Sequence, residues 1–235
     1  MIQAFVTNLG KYVESKLRGE WLTLPTTTED VQALLSRIGV DGVIYEEIFI
    51  TSCESDIDGL FRYFDEYESL DELNYLAVLL GEMPQHDLEK FKAAVANGAK
   101  AGSVKDLINL TQTLNWYVYF YGVHDTEELG RYLAEERGME IPANIEPYFD
   151  YEAYGRDEEI NYGGTFASTG FIARVPGSAP EQYRDRGDLP DEHKVLAYPE
   201  PEKSIQKTIA VYNQMISTTP ATTAPGRSQP TQEDR

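Results

Sequence analysis

The stretch that most constrains this chain is residues 41–75, DGVIYEEIFITSCESDIDGLFRYFDEYESLDELNY. It carries eleven acids (Asp41, Glu46, Glu47, Glu54, Asp56, Asp58, Asp65, Glu66, Glu68, Asp71 and Glu72) against one base, Arg62. Ile44, Tyr45, Ile48, Phe49, Ile50, Ile57, Leu60, Phe61, Tyr63, Phe64, Tyr67, Leu70 and Leu73 are interleaved with them. A segment that buries nothing cannot offset its conformational entropy, and disordered acidic tails lack such apolar residues. This stretch is therefore expected to fold and to hold its carboxylates in fixed places, as a surface for something positive. If Asp65 to Glu72 is helical, its five acids span about 12 Å, about one charge per 2.4 Å. Duplex DNA carries about one charge per 3.4 Å on each strand and one per 1.7 Å on both. The helix falls between the two.

The charge of the whole chain, 40 acids against 20 bases in 235 residues, is unevenly placed. Residues 1–40 and 76–124 are balanced. Residues 125–174 hold twelve acids, among them Asp125, Glu127, Glu128, Glu135, Glu136, Glu152, Asp157, Glu158 and Glu159, against Arg131, Arg137, Arg156 and Arg174. Two acidic blocks within folding sequence are more than solubility requires. Such a surface repels phosphates, so nucleic acid is not an expected partner. The sole cysteine, Cys53, excludes an intrachain disulfide framework and suits a reducing compartment. No signal-peptide layout is visible, and no run nears the roughly 18 apolar residues of a membrane span. A cytoplasmic protein that does not engage membranes is the expectation.

The pattern predicts an α+β fold, an elongated chain of three small domains (α+β, helical, α+β) with a disordered C-terminal tail. Residues 1–60 form the first: a strand over residues 2–6, a hairpin partner over 20–24, a helix capped by Thr27 with Asp30 and stopped by Gly39, and a strand over 43–51. Residues 61–113 form the helical middle domain. Its helices are a capping box of Ser69 with Glu72 leading to Gly81, a second through Leu88 and Phe91 closing at Asn97 and Gly98, and a third from Ser103 with Asp106. Residues 114–175 begin with a strand (WYVYFY), continue with a helix capped by Asp125 and Glu128 and a helix over 147–155, and end in a β-pair near Val175. Residues 176–235 read as a Pro/Ser/Thr-rich extension, mostly disordered, with one amphipathic stretch carrying Ile205, Ile209, Tyr212 and Ile216.

Chemical sites are scarce. Glu54-x-Asp56-x-Asp58-Gly59-x5-Asp65 has calcium-loop spacing. Its first ligand is Glu, its last is the shorter Asp, and a strand leads into it, so it reads as an acidic turn and no metal is expected. His86, His124 and His193 have no neighbour at ligand spacing, and one cysteine makes no zinc site. Glu54 and Asp56 oppose a thiolate at Cys53. No GxSxG, Walker or GxGxxG pattern occurs, and among forty acids chance carboxylate pairs carry no weight for glycoside hydrolysis. No catalytic residue and no cofactor are expected.

Several separated segments, MIQAFVTNLGKY, GEWLTLPTT, IFITSCESD, DELNYLA, GSVKDLINL, DEEINYGGTF and EELGRYLAEE, occur in an order that resembles the ArdA antirestriction proteins of mobile genetic elements, over about residues 1–173. The resemblance implies an elongated, acidic, three-domain homodimer that imitates bent DNA. It would occupy the DNA groove of a type I restriction–modification enzyme, on its methyltransferase core, and block restriction during horizontal gene transfer. It also implies that the family's antirestriction motif, near the dimer interface, falls on Glu127 to Glu136, most clearly at Leu129, Gly130, Arg131 and Tyr132. Leu133 and Ala134 depart from the usual Tyr and acid. An acidic adaptor or decoy for other basic DNA-binding proteins is the alternative.

Overall fold

Apolar residues alternating along Ile2–Asn8 bury one side of a strand, β1, at the centre of a three-stranded antiparallel sheet. This is a computed structural model that describes residues 1–97, 101–177 and 179–199. Among the described residues it contains seven α-helices and two three-stranded antiparallel sheets, a mixed α and β fold. β1 is flanked by β2 (Gly19–Leu24) and β3 (Ile48–Ser55), with the register against β3 shifting between Phe5 and Val6. A short helix α1 (Leu9–Val13) follows β1. Helix α2 (Thr28–Ile38) starts where Thr27 accepts the Asp30 amide, and it ends at Gly39 in the left-handed conformation that glycine adopts without strain.

The third strand starts later than the sequence suggests, at Ile48 rather than Val43. The cause is Asp41, whose Oδ1 accepts the backbone amides of Val43, Ile44 and Tyr45 and coils residues 41–45 into a turn. Helix α3 (Leu70–Glu82) likewise begins only at Leu70, so Asp65, Glu66 and Glu68 precede it and the expected helical run of five acids does not exist. Ser69 sits at the N-cap without a side-chain bond, and the Glu72 carboxylate, which would reach back to it in a capping box, is engaged elsewhere. Helices α4 (Gln85–Ala96) and α5 (Val104–Gln112) complete this part, the latter capped by Ser103 on the Asp106 amide. Gly98 lies outside the described residues.

The second sheet runs in the order β4 (Tyr117–Tyr121), β6 (Gly170–Arg174), β5 (Thr165–Ala167). Helices α6 (Thr126–Glu136) and α7 (Tyr151–Tyr162) lie between β4 and β5 in sequence; α7 starts and ends later than the expected 147–155. Successive side chains of a strand point to opposite faces, and here both faces are used. Tyr119 and Ile172 join the core formed by the helices, while Phe120, Phe171 and Ala173 pack with Leu129 and Leu133 in a second core.

The first core runs without a break from Ile2, Leu24 and Ile57 to Leu73, Leu76 and Ile108, so hydrophobic packing does not separate residues 1–60 from 61–113. The same core takes in Tyr183, Leu189 and Val195. Residues 179–199, expected within the disordered extension, are thus packed on the body. The amphipathic stretch at 205–216 lies outside the described residues.

Candidate acidic binding surface

The turn held by Asp41 delivers Glu46 and Glu47 to the surface, just before β3. Burial works against the charge on Asp41, but the amides of Tyr45, Val43 and Ile44 outweigh it and hold the carboxyl below its ordinary value. Along β3 Glu54 is exposed, and beyond it come Asp56, which takes the N-terminal ammonium of Met1, and Asp58. Asp65 and Glu66 are exposed on the turn between the short 3-10 helix Leu60–Tyr63 and α3. Glu68 is half-buried, and burial raises its pKa. Exposed Tyr67 stacks on Phe49 with ring centroids 6.4 Å apart, and Tyr12 meets Phe49 edge-on at 5.1 Å. Among the described residues no group of three His, Cys, Asp or Glu side chains could hold a metal ion.

Two of the residues expected on this surface are elsewhere. Glu72 is only 8% exposed, with Oε1 accepting the Tyr183 hydroxyl at 2.8 Å and Oε2 accepting Arg186 Nε at 2.9 Å. Glu158, 9% exposed on α7, accepts from Arg137 at 2.7 Å, and that guanidinium lowers its pKa. Both lie inside the protein because a distant residue supplies a charged partner. Asp71, half-buried, accepts the amides of Val195 and Leu196.

The second acidic block is built on the α6–α7 pair. Asp125 caps α6 by accepting the Glu128 amide, and Glu128 in turn accepts the His124 amide. Asp125, Glu127, Glu128, Glu135, Glu136, Glu152 and Asp157 are exposed, and Glu159 is half-buried. Arg131 and Arg156 bond Glu127 and Glu152 one turn away on their own helices, pairs that are solvent-exposed and contribute little to stability.

In the segment from Glu127 to Glu136, where the resemblance expects the antirestriction motif, Leu129 and Leu133 are fully buried in the second core, so neither side chain is available to a second copy. Gly130 is buried against α7, where a methyl group would stand 3.0 Å from the Gly155 amide and collide with the Tyr151 carbonyl. Arg131 lies over the Tyr151 ring at 4.2 Å. Tyr132, 39% exposed, packs on Phe120 with centroids 4.7 Å apart. This face of α6 therefore packs against α7 and the second sheet, with Arg131 and Tyr132 on its outer side. No motif in the sequence singles out Gly155, Asn109, Tyr183 or Arg186 as structural anchors. An isolated glycine inside each of two helices is the available signal for the first, and the other three act only through contacts distant in sequence.

Among the described residues no helix is long and apolar enough to cross a membrane. The family model for antirestriction protein (ArdA) matches residues 4–173. Comparison with curated proteins gives no match.

Proposed function

Because the chain belongs to the ArdA antirestriction protein family, an inhibitor family rather than one of enzymes, we propose that it acts as a DNA mimic. In this reading it binds the DNA groove of a type I restriction–modification enzyme, on the methyltransferase core, and blocks restriction competitively. The observation that carries the reading is the placement of exposed carboxylates on ordered backbone in two separate blocks. Glu46, Glu47, Glu54, Asp65 and Glu66 form one, and Asp125, Glu127, Glu135, Glu136 and Asp157 the other. Carboxylates in fixed positions neutralise the enzyme's lysines and arginines as phosphates would, and DNA is then excluded by occupancy, without turnover.

Two copies of the chain, joined near Arg131 and Tyr132, would lengthen the acidic surface into the elongated form a DNA groove accepts. The protein would work in the cytoplasm, where the restriction enzyme meets incoming DNA. Like other charge-driven association, binding should weaken as salt rises.

The test is titration of the purified protein against a type I methyltransferase core bound to labelled duplex DNA. Displacement at near-stoichiometric protein, relieved by salt, is the expected result. Failure to displace DNA from several type I cores would overturn the reading and favour an acidic decoy for other basic proteins.

A further inference from the structure

We infer that residues 179–199, which lie beyond the matched family segment, are a permanent clamp that fastens helices α5, α3 and α2 together and decides which carboxylates of the first acidic block face outward. The inference rests on the clamp's own contacts and not on the antirestriction reading.

The clamp is anchored at successive points along its length. At its start Asn109 on α5 grips the backbone, with Oδ1 accepting the amides of Gln182 and Tyr183 at 2.8 and 2.9 Å and Nδ2 donating to the Tyr183 carbonyl at 2.7 Å. The Tyr183 side chain, 2% exposed, then enters the core and reaches Glu72 on α3. Burial and the neighbouring Glu72 carboxylate both raise the pKa of that hydroxyl, so it remains a donor. Further on, the His193 ring stacks on Tyr75 at 5.1 Å, and its carbonyl accepts from Asn74. Asn74 also accepts the Thr26 amide at 2.8 Å, so one buried amide side chain joins the segment before α2, helix α3 and the clamp. Asp71 accepts the Val195 and Leu196 amides, both at 2.7 Å. At the far end Gln32 on α2 bonds the Tyr198 carbonyl, and the Tyr198 hydroxyl bonds the Glu46 carbonyl at 2.7 Å.

This pattern differs from a removable cover. A cover resting on a finished surface would leave satisfied groups beneath it. Lifting this segment would instead expose the pockets of Tyr183, Leu189 and Val195, each nearly fully buried, and strip Glu72 of both its partners. Lifting it would return that apolar area to water and give up the charge-assisted bonds on Glu72, both of which favour the closed arrangement. The clamp also changes the charge pattern on view. It withdraws Glu72 and half-buries Asp71, while presenting its own Asp185, Asp191 and Glu192 to solvent.

Carbodiimide-driven amine labelling of carboxylates in the full chain, read by peptide mass spectrometry, tests this directly. In the unaltered protein Asp191 and Glu192 should label and Glu72 should not. The amides of residues 182, 183, 195 and 196 should exchange with deuterium at least about tenfold more slowly than in an unfolded chain. Asn109→Ala should open the first anchor, raising Glu72 labelling and speeding exchange at residues 182 and 183. Because that variant could also loosen α5, Tyr183→Phe serves as the second: the ring still fills its pocket, circular dichroism should be unchanged, and Glu72 should label more. If Glu72 labels as readily as Asp191 in the unaltered protein, the segment is a dissociating cover and the inference fails. It fails equally if neither variant changes Glu72 labelling.

Discussion

Gly130 on α6 and Gly155 on α7 meet with no space for a side chain between them: a methyl group on Gly155 would stand 2.7 Å from the Gly130 nitrogen and collide with the Thr126 carbonyl. The backbones of the two helices are therefore in contact, which explains why α6 tolerates a glycine in its middle, where it disfavours helix formation relative to alanine.

Replacing either glycine with alanine should force the helices apart. Overpacking of a filled core costs about 1–3 kcal/mol, and here the obstacle is backbone, which cannot rotate away. For a domain of this size, a loss of about 3 kcal/mol lowers the melting temperature by about 6–12 °C. Thermal denaturation followed by circular dichroism decides it: a Gly155→Ala variant that melts with the parent would show that the close contact is absent in solution.

Neighbouring positions on α6 should separate folding from association. Leu133 is fully buried, so Leu133→Ala should cost about 2–5 kcal/mol through loss of packing, at any protein concentration. Tyr132 is partly exposed and rests on Phe120. Tyr132→Ala should retain most of the stability and, if the proposed dimer forms there, shift sedimentation toward the monomer. A Leu133→Ala protein with parental melting behaviour would contradict the assigned packing.

The same helix pair should respond to acid. Arg137, next after the last residue of α6, bonds Glu158 on α7 and also the Tyr154 hydroxyl at 2.7 Å. The guanidinium holds the Glu158 pKa below its ordinary value. A depressed carboxylate pKa contributes stability that is present above the unfolded pKa, about 4.3. That contribution disappears as pH falls through the folded value. Arg137 remains 43% exposed, so solvent screening limits the benefit to on the order of 1 kcal/mol. Glu158→Gln should therefore melt below the parent at pH 7, and the gap should close under acid. A gap that persists unchanged at pH 3 would mean the effect is packing and not charge.

Sequence reading succeeded where the controlling contact was local. Thr27 with Asp30, Ser103 with Asp106, and Asp125 with Glu128 each start a helix as their spacing predicts, because the bonds span three residues. Ser69 with Glu72 has the same spacing and also marks a helix start, but Ser69 makes no side-chain cap bond, and the Glu72 carboxylate that would complete the box is taken by Tyr183 and Arg186, more than a hundred residues away. Val43 and Ile44 look like strand, yet Asp41 captures their amides. For the acidic surface, seven of the eleven acids in residues 41–75 are exposed as the charge pattern suggests. Asp41, Asp71 and Glu72 instead hold backbone or buried partners, and Glu68 is half-buried. Composition counts charges but does not say which of them the fold uses internally.

That division bears on the proposed inhibition. Exposed carboxylates such as Glu54, Asp65, Glu135 or Asp157 act together in a high-dielectric setting, where any one pair is worth about 1 kcal/mol or less. Reversing one, as in Glu54→Lys, should change inhibition of a type I enzyme by only a few-fold, since a tenfold change needs about 1.4 kcal/mol and a single such pair supplies less. Reversing Glu54, Asp65, Glu135 and Asp157 together should weaken inhibition far more and flatten its dependence on salt, since fewer ion contacts remain to be screened. Competition against labelled DNA at two salt concentrations measures both. If one surface reversal abolishes inhibition, the protein recognises its partner through a focused contact, and distributed mimicry of a charged backbone is wrong.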